Sequence, residues 1–239
     1  MTDLYYIISE EVFARYPGYV RGVVLAYGVT NGPSPEELLT RLRAVEGAIS
    51  QQADLARLAE HPRIKAWREA FRQFGAKPSE HRPSIEGLAR RALRGEPLPS
   101  INALVDIGNV ISLRYLVPAG AHAIDAVTED LVLRAAIGAE VFTALGSDAV
   151  EHPDPGEIIF AQGNRVLTRR WVWRQGIDTL VRPETTAVEY NVDGLPPVTP
   201  DEVAAICEAT GCLVERFCGG RTRYEVLSPA NPFLRLAPP

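Results

Sequence analysis

The chain has 239 residues and a formal net charge of −5, and 46% of its residues are hydrophobic and 23% charged. This composition is typical of a globular protein, and it excludes a disordered chain and a protein that coats DNA by bulk attraction. The apolar runs are too short or too interrupted to cross a bilayer, and no basic and apolar leader opens the sequence. We therefore expect a soluble, cytoplasmic protein without a DNA or membrane partner.

Cysteine usage indicates neither a disulfide framework nor a metal site. Cys207, Cys212 and Cys218 form an odd set, with no neighbouring histidine and without the short paired spacing of zinc ligands. The phosphate-loop, dinucleotide-binding and G-x-S-x-G hydrolase motifs are absent from the sequence. We expect reduced thiols, no metal and no cofactor.

Residues 1–60 predict a strand pair followed by a helix. The segments LYYIIS and VRGVVLAYGV are rich in β-branched and aromatic residues, and Pro17 and Gly18 separate them. Ser34 and Glu37 then match a capping box, and apolar residues follow at helical spacing from Leu38 onward.

Three further helices are predicted before residue 118. Pro62 opens the first, in which aromatic residues recur every three or four positions up to Gly75. The segment SIEGLARRALRG forms the second and ends at Gly95. The third follows residues 98–100, and we expect it to turn five apolar side chains inward, those of Ile101, Leu104, Val105, Ile111 and Leu113.

Beyond Pro118 the pattern changes to strands, followed by one helix and a hairpin. The strand segments are DLVLRAAI, EIIFAQ, RVLTRRWVWR and TTAVEYNV. Residues 199–202 match a second capping box, and we expect the helix to end at Gly211, with LVERF and RYEVL forming a closing hairpin. Helices and strands in blocks favour an α+β fold, with helices packed on a mainly antiparallel sheet and one domain over residues 1–239.

Positive charge is concentrated between Arg63 and Arg94, a segment with nine basic and three acidic residues. Such an excess forms either a phosphate-facing patch or a pair of solvated helix faces, and charge alone does not separate the two. In the first case the basic side chains would contact RNA in a salt-dependent way. The candidate RNA-binding residues are Arg68, Arg72, Lys77, Arg90 and Arg91.

Four segments together resemble a known family. They are PSIEGLARRALRG, LPSINALVDIGNVISL, GAHAID and RRWVWRQGIDTLVRPETT. The combination of IN-x-x-VDI-x-N with a following HA-x-D resembles the B3/B4 domain, the tRNA-editing domain of the bacterial-type phenylalanyl-tRNA synthetase beta subunit. The resemblance is clearest over residues 71–192, and it is closest to freestanding versions of the domain.

The resemblance implies an α+β fold with a pocket for the aminoacylated 3′ end of a tRNA, which makes aminoacyl-tRNA the expected partner. In the synthetase, this domain hydrolyses the ester when the wrong amino acid has been attached. The other parts of a synthetase do not fit in this length, so we expect no aminoacyl-tRNA ligase activity. The implied function is editing of mischarged aminoacyl-tRNA in trans.

Two alternatives stay open at this point. One is a non-catalytic module that binds a tRNA 3′ end, an amino acid or a related small ligand through the same pocket. The other is an interaction subunit with a synthetase partner. The sequence names neither the amino acid nor the tRNA, and it does not separate a monomer from a dimer.

The segment INALVDIGNVISLRYLVPAGAHAID, residues 101–125, places Asp106, Asn109 and His122 among apolar residues. His122 matches the position of a pocket histidine in the family, so the resemblance makes it the candidate catalytic residue, orienting the ribose or the attacking water. Its alternative role is to fix the entry of a strand. Asp106 and Asn109 lie three residues apart and share a helix face, where they would bond backbone or form the pocket wall.

The Trp-Arg-rich segment supplies the remaining candidates for substrate binding. In strand geometry, Arg169, Trp171 and Trp173 share one face, and Arg170, Val172 and Arg174 share the other. Arginine beside flat aromatic surfaces suits single-stranded RNA, although alternating tryptophans are equally typical of a sheet core. We expect one tryptophan in the core, and we assign Trp173, Arg174 and Gln175 to the pocket.

A departure from the family pattern lies in the same segment. The GGE of the synthetase editing site falls on Gln175, Gly176 and Ile177, so the glutamate is missing, although Asp178 is adjacent. In the synthetase that carboxylate contributes to recognising the amino-acid side chain. Gly176 and Asp178 therefore complete the predicted substrate-binding set, but the resemblance does not carry tyrosine specificity over to this chain.

Overall fold

A computed structural model describes residues 3–238, without the side chains of residues 53–56. The helices are α1 (Glu10–Arg15), α2 (Glu36–Gln51), α3 (Pro62–Gln73), α4 (Ser84–Leu93), α5 (Ala103–Tyr115) and α6 (Pro200–Cys218), with a 3-10 helix at Ala53–Glu60. Among the described residues, none of the helices has the length and apolar character needed to span a membrane.

The strands form two main sheets and a short arm. They are β1 (Tyr5–Ile8), β2 (Val20–Tyr27), β3 (Ala119–Ala123), β4 (Leu131–Ala135), β5 (Phe142–Thr143), β6 (Val150–Glu151), β7 (Ile158–Gln162), β8 (Arg165–Arg169), β9 (Arg174–Gln175), β10 (Ala187–Gly194), β11 (Arg221–Leu227) and β12 (Phe233–Arg235). One sheet has the order β12-β1-β4-β7-β8-β9, another β11-β2-β10-β3, and β5 pairs with β6. The β1-β4 pair is parallel and the other pairs between named strands are antiparallel. The fold is α+β, as predicted.

The four-stranded sheet is covered on both faces. Helices α5 and α6 pack on one face, so closely that a Cβ at Gly22 of β2 would lie 2.1 Å from Cys207 Sγ of α6. The other face meets the six-stranded sheet, where Arg21 of β2 bonds Tyr6 of β1 and the ring of His122 packs on Phe160 of β7. Because no face of β2 and β10 reaches water, their sequences are almost continuously buried.

The two N-terminal strands do not pair with each other, so the predicted strand pair is wrong. Helix α1 lies between them, and β1 joins the six-stranded sheet while β2 joins the other. Val12 and Tyr16 are buried one helical turn apart, and this spacing favours a helix in the segment that joins the two strands. The chain therefore crosses from one sheet to the other instead of folding back.

The starts of α2 and α5 also differ from the prediction. Pro35 is the N-terminal flanking residue of α2, and no side chain caps it. The hydroxyl of Ser34 instead donates to Asp106 at 2.6 Å, so the predicted capping box is absent. Helix α5 begins after Asn102, whose side chain accepts from the Val105 amide, and Ile101 is 61% exposed rather than turned inward.

The last helix is longer than predicted. Thr199 caps α6 by accepting from the Glu202 amide, as expected, but the helix continues through Gly211 to Cys218. A Cβ at position 211 would lie 2.9 Å from Thr222 Oγ1 on β11, so glycine is needed there for close packing rather than to end the helix. The segment LVERF is therefore helical, and the predicted closing hairpin is wrong.

Candidate functional site

Two adjoining cavities lie where β3, an edge of the four-stranded sheet, approaches β9, an edge of the six-stranded sheet. The larger cavity has a volume of about 610 Å³ and is bounded by α4, α5 and β3. The smaller has a volume of about 140 Å³ and lies against His122 and β10. Five residues line both cavities: Ser84, Ala119, Gly120, Trp173 and Gln175.

The wall between the cavities and the core is a turn rather than a continuous strand. Strand β8 ends at Arg169, and the next two residues, Arg170 and Trp171, have φ angles of 48° and 64°. Such left-handed conformations are costly for large side chains and break the alternation expected of a strand. The predicted faces of this segment are therefore wrong. Trp171 is fully buried against Tyr19, whereas Trp173 lines both cavities.

His122 of β3 is held on both ring nitrogens. Nδ1 lies 2.6 Å from Thr179 Oγ1 and 3.2 Å from the Gln175 amide nitrogen, and Nε2 lies 3.1 Å from Thr168 Oγ1. The 2.6 Å contact is short for an N–H donor and suits the Thr179 hydroxyl donating to Nδ1, whereas 3.1 Å suits an N–H donor. We therefore assign the proton to Nε2, which donates to Thr168. Burial and, to a smaller extent, the positive charge of Arg21 together lower the pKa of His122 to about 3. The imidazole is therefore neutral at physiological pH.

Gln175 is fixed in orientation by its amide nitrogen. Nε2 lies 3.0 Å from the Ala121 carbonyl oxygen and 3.2 Å from that of Thr179, so this end of the amide points to protein acceptors. Oε1 makes no hydrogen bond with the described residues, and it is the end of the amide left for a ligand or water. The neighbouring Arg174 lines the smaller cavity and lies 3.7 Å from Glu151.

Two of the predicted substrate-binding residues do not line either cavity. A Cβ at Gly176 would lie 2.9 Å from the Val166 carbonyl oxygen, so this residue is packed into the sheet. Asp178 forms an exposed ion pair with Arg165 at 2.8 Å. Of these three residues, therefore, only Gln175 lines the cavities, and Gly176 and Asp178 lie outside them.

Asp106 and Asn109 have different surroundings although they share a helix face. Asp106 is fully buried and accepts from the hydroxyls of Ser34 and Ser100 and from the Ile101 amide. It ties two segments, the one at Ser34 and the one at residues 100–101, to the start of α5, which is a structural role. Asn109 lines the larger cavity together with Gly108.

The model of the B3/4 domain family matches residues 66–219, which is more than half of the chain. The chain belongs to the B3/4 domain family. A solved N-terminal fragment of the phenylalanyl-tRNA synthetase beta subunit from Pyrococcus horikoshii is similar to it at 12% identity, with a TM-score of 0.44. The alignment covers 90% of this chain and 49% of that fragment, so the chain spans about half of its length. A comparison with curated proteins finds no match.

Most of the basic residues predicted to bind RNA are engaged within this B3/4 domain. Four of the five form ion pairs with nearby glutamates, Arg68 and Arg90 with Glu86, Arg72 with Glu69 and Lys77 with Glu80. The fifth, Arg91, lines the larger cavity and donates to the Pro97 carbonyl. Arg82, which the sequence analysis had not selected, lines the same cavity and is exposed. The candidate cationic surface is therefore the rim of the cavity.

Strand β10 carries polar residues that the sequence analysis missed. Glu189, Asn191 and Asp193 alternate along it, so they share a face of the sheet, and each is buried. Asp193 accepts from Arg21 Nε at 2.7 Å and from the Tyr19 hydroxyl at 2.5 Å. The alternation in VEYNVDG was a signal, because polar residues at every second position of a buried strand need partners on one face.

Proposed function

We propose that this B3/4 domain hydrolyses the ester of mischarged aminoacyl-tRNA in trans. The observation that carries the proposal is the pair of adjoining cavities, one large and one small, which share a rim formed by Trp173 and Gln175. The larger is suited to the terminal nucleoside and the smaller to the aminoacyl group. The ester between them would then lie beside Gln175. Membership of the family supports this assignment.

The reaction needs a positioned water more than a strong base, because an aminoacyl ester is already activated. Gln175 Oε1 is the acceptor that would orient the water, since its amide nitrogen is held by protein carbonyls. As the water oxygen bonds to the ester carbon and the bond to the ribose oxygen breaks, the neighbouring ribose hydroxyl of the substrate relays the proton of the water to that leaving oxygen.

His122 acts in this proposal as a positioning residue. Both of its ring nitrogens are engaged and burial depresses its pKa to about 3, so it is poorly placed to take a proton from water. Its contacts with Thr179, Thr168 and Gln175 hold the wall of the smaller cavity in one arrangement. The rate of hydrolysis should therefore show no histidine titration between pH 5 and 8.

The rim arginines give the proposal its RNA contact. Arg82 and Arg91 line the larger cavity, whereas the other four predicted RNA-binding residues, Arg68, Arg72, Lys77 and Arg90, form ion pairs with glutamates. A phosphate of the tRNA 3′ end would meet the two guanidinium groups as the terminal nucleoside enters. Binding should weaken as salt is raised, with a slope set by about two contacts.

The decisive experiment follows loss of the ester when the purified chain is incubated with a panel of mischarged and correctly charged tRNAs. Selective deacylation supports the proposal. The variant Gln175→Met keeps the shape of the side chain but removes the acceptor, and we expect a loss of about 100-fold in kcat/KM. Asp178→Asn is the matched control, because Asp178 lies outside both cavities and should be silent.

A non-catalytic module that binds a tRNA end or an amino acid is the second candidate. The observation that favours it is the state of His122, which is neutral and fully engaged. This alternative predicts binding of aminoacyl-tRNA without turnover of any ester in the panel. An interaction subunit would instead form a salt-resistant complex when a purified synthetase is added to the chain.

A further inference from the structure

The smaller cavity has a more specific chemistry than the larger one. Its volume of about 140 Å³ is less than a quarter of the other, and Trp171 and Trp173 form part of its wall. Its polar lining includes Thr168 and Asn191, which lie on the two different sheets. A ligand group that enters this cavity is therefore small and is met by hydrogen-bonding groups.

The amide of Asn191 has one possible orientation. Its Nδ2 lies 2.9 Å from Asp193 Oδ2, and the other oxygen of Asp193 already accepts from Arg21 and Tyr19. A carboxylate only accepts, so the amide must turn its nitrogen toward Asp193 and its oxygen away.

The Asn191 oxygen lacks a hydrogen-bond donor among the described residues, although the residue is only 8% exposed. It lies 3.2 Å from the position that a Cβ at Gly120 would take, and Gly120 lines both cavities. A buried acceptor without a donor costs stability unless a ligand or water supplies one.

Thr168 offers the complementary group. Its Oγ1 accepts from His122 Nε2 at 3.1 Å, and among the described residues its hydroxyl hydrogen has no acceptor. The proton assignment of His122 therefore leaves the Thr168 hydroxyl free to donate. An acceptor on Asn191 and a donor on Thr168 are the pair needed to bind a hydroxyl group, which donates one hydrogen bond and accepts others.

We propose that the smaller cavity recognises a small aminoacyl side chain that carries a hydroxyl, as in serine or threonine, through Asn191 and Thr168. This inference rests on the proposed function, because it takes the aminoacyl group as the occupant of the smaller cavity. It adds the substrate class. The family resemblance does not supply this class, because the glutamate of the synthetase site is replaced by Ile177. Valine has the shape of threonine and alanine is serine without its hydroxyl, and both leave the Asn191 oxygen without a donor.

The test measures binding of stable analogues to the full chain. The probes are adenosines carrying serine, threonine, alanine, valine or tyrosine in a 3′-amide link, and the deacylation panel is run with the same amino acids. We expect the serine or threonine analogue to bind about 10- to 100-fold more tightly than its isostere, because the isostere leaves a buried polar group unpaired. The esters should follow the same order.

Two variants check the residues themselves. Asn191→Leu and Thr168→Val should each abolish the preference for the hydroxyl while still binding the alanine or valine analogue. A thermal unfolding curve for each variant establishes that it is folded. Lys77→Ala is the control that should retain the preference, since Lys77 is exposed and lines neither cavity.

The possible results separate the two proposals. Hydrolysis or binding without a preference for the hydroxyl overturns only the inference about specificity. The hydrogen bond to the Asn191 oxygen would then be donated by water. Tightest binding of the tyrosine analogue also overturns it, because that side chain would occupy the larger cavity. Failure of all analogues to bind and of all esters to react overturns the proposed function as well.

Discussion

The ion pairs in two regions of this protein have opposite surroundings. Behind the smaller cavity, Arg21 and Asp193 form an ion pair at 2.7 Å in which both side chains are fully buried. On α3 and the turn after it, the pairs Arg72 with Glu69 and Lys77 with Glu80 are more than half exposed. Glu86 is intermediate, because it is buried while its partners Arg68 and Arg90 reach water.

Burial, more than the distance between the charges, therefore determines how much stability is lost when one partner of an ion pair is removed. An exposed pair is screened and contributes about 0 to 1 kcal/mol. A buried pair is costly to assemble, but removing one partner leaves a charge that neither water nor protein solvates. The buried network also orients Asn191, so it supports the site, whereas the exposed pairs neutralise charges that would otherwise resemble an RNA-binding patch.

The largest effect is expected from breaking the buried pair. Asp193→Ala leaves the guanidinium of Arg21 buried without its carboxylate, and we expect a loss of about 3 to 5 kcal/mol in the free energy of unfolding. Denaturant titration measures it. The double variant Arg21→Met with Asp193→Leu should recover most of the loss, and a double variant as unstable as the single one would contradict the argument.

A second prediction concerns the pH dependence of stability. Burial raises the pKa of Glu189 from 4.5 to about 8, so between these values the folded state holds a proton that the unfolded state has released. Stability should therefore fall as pH rises through this window, by at most about 1.4 kcal/mol per pH unit. His122 has a lowered pKa and acts in the opposite direction only below about 6.5.

The cleanest measurement of the Glu189 effect is thus between pH 6.5 and 8. Thermal or denaturant unfolding of the unaltered chain should show the decline, and Glu189→Gln should flatten it because the amide does not titrate. A variant with the same slope as the unaltered chain would show that Glu189 is not the titrating group.

The intermediate case should give an intermediate effect. Glu86→Ala removes the buried acceptor of Arg68 and Arg90, but both guanidinium groups can turn to water, so we expect a loss of about 1 to 2 kcal/mol. Urea titration of the variant measures this loss. A loss as large as that of Asp193→Ala would mean that partner exposure does not matter here.

The smallest effect is expected on the surface. Lys77→Ala breaks an exposed pair with Glu80, and the stability should change by less than about 0.5 kcal/mol. A filter-binding titration with tRNA at two salt concentrations should also show no change, whereas Arg91→Ala should weaken binding. Equal losses of tRNA affinity in the two variants would indicate that the exposed helix faces also bind RNA.

Local patterns predicted much of the fold. The three-and-four spacing of Ile64, Trp67 and Phe71 identified α3, and Thr199 marked the start of α6. A residue type that is compatible with two structural roles was not interpreted correctly from sequence alone. Gly211 is typical of a helix end, but its role depends on Thr222, which lies on a strand that the helix meets only after folding.

The candidate site was predicted in part. Gln175, Asn109, Trp173 and Arg91 were selected from sequence and line the cavities. Asn191 and Thr168, which line the smaller cavity, were not selected because neither belongs to a motif and they meet only where the two sheets come together.

By itself, the sequence determined the α+β class, most helices and strands, and the family, because these depend on spacing and motifs that neighbouring residues contain. The tertiary structure decided which charges are buried, which basic residues are neutralised and how the turn at Trp171 separates core from cavity. Arg21 and Asp193 are 172 positions apart, and no local pattern links them. Their pairing follows from the register of β2 with β10, which is fixed only when the sheet forms.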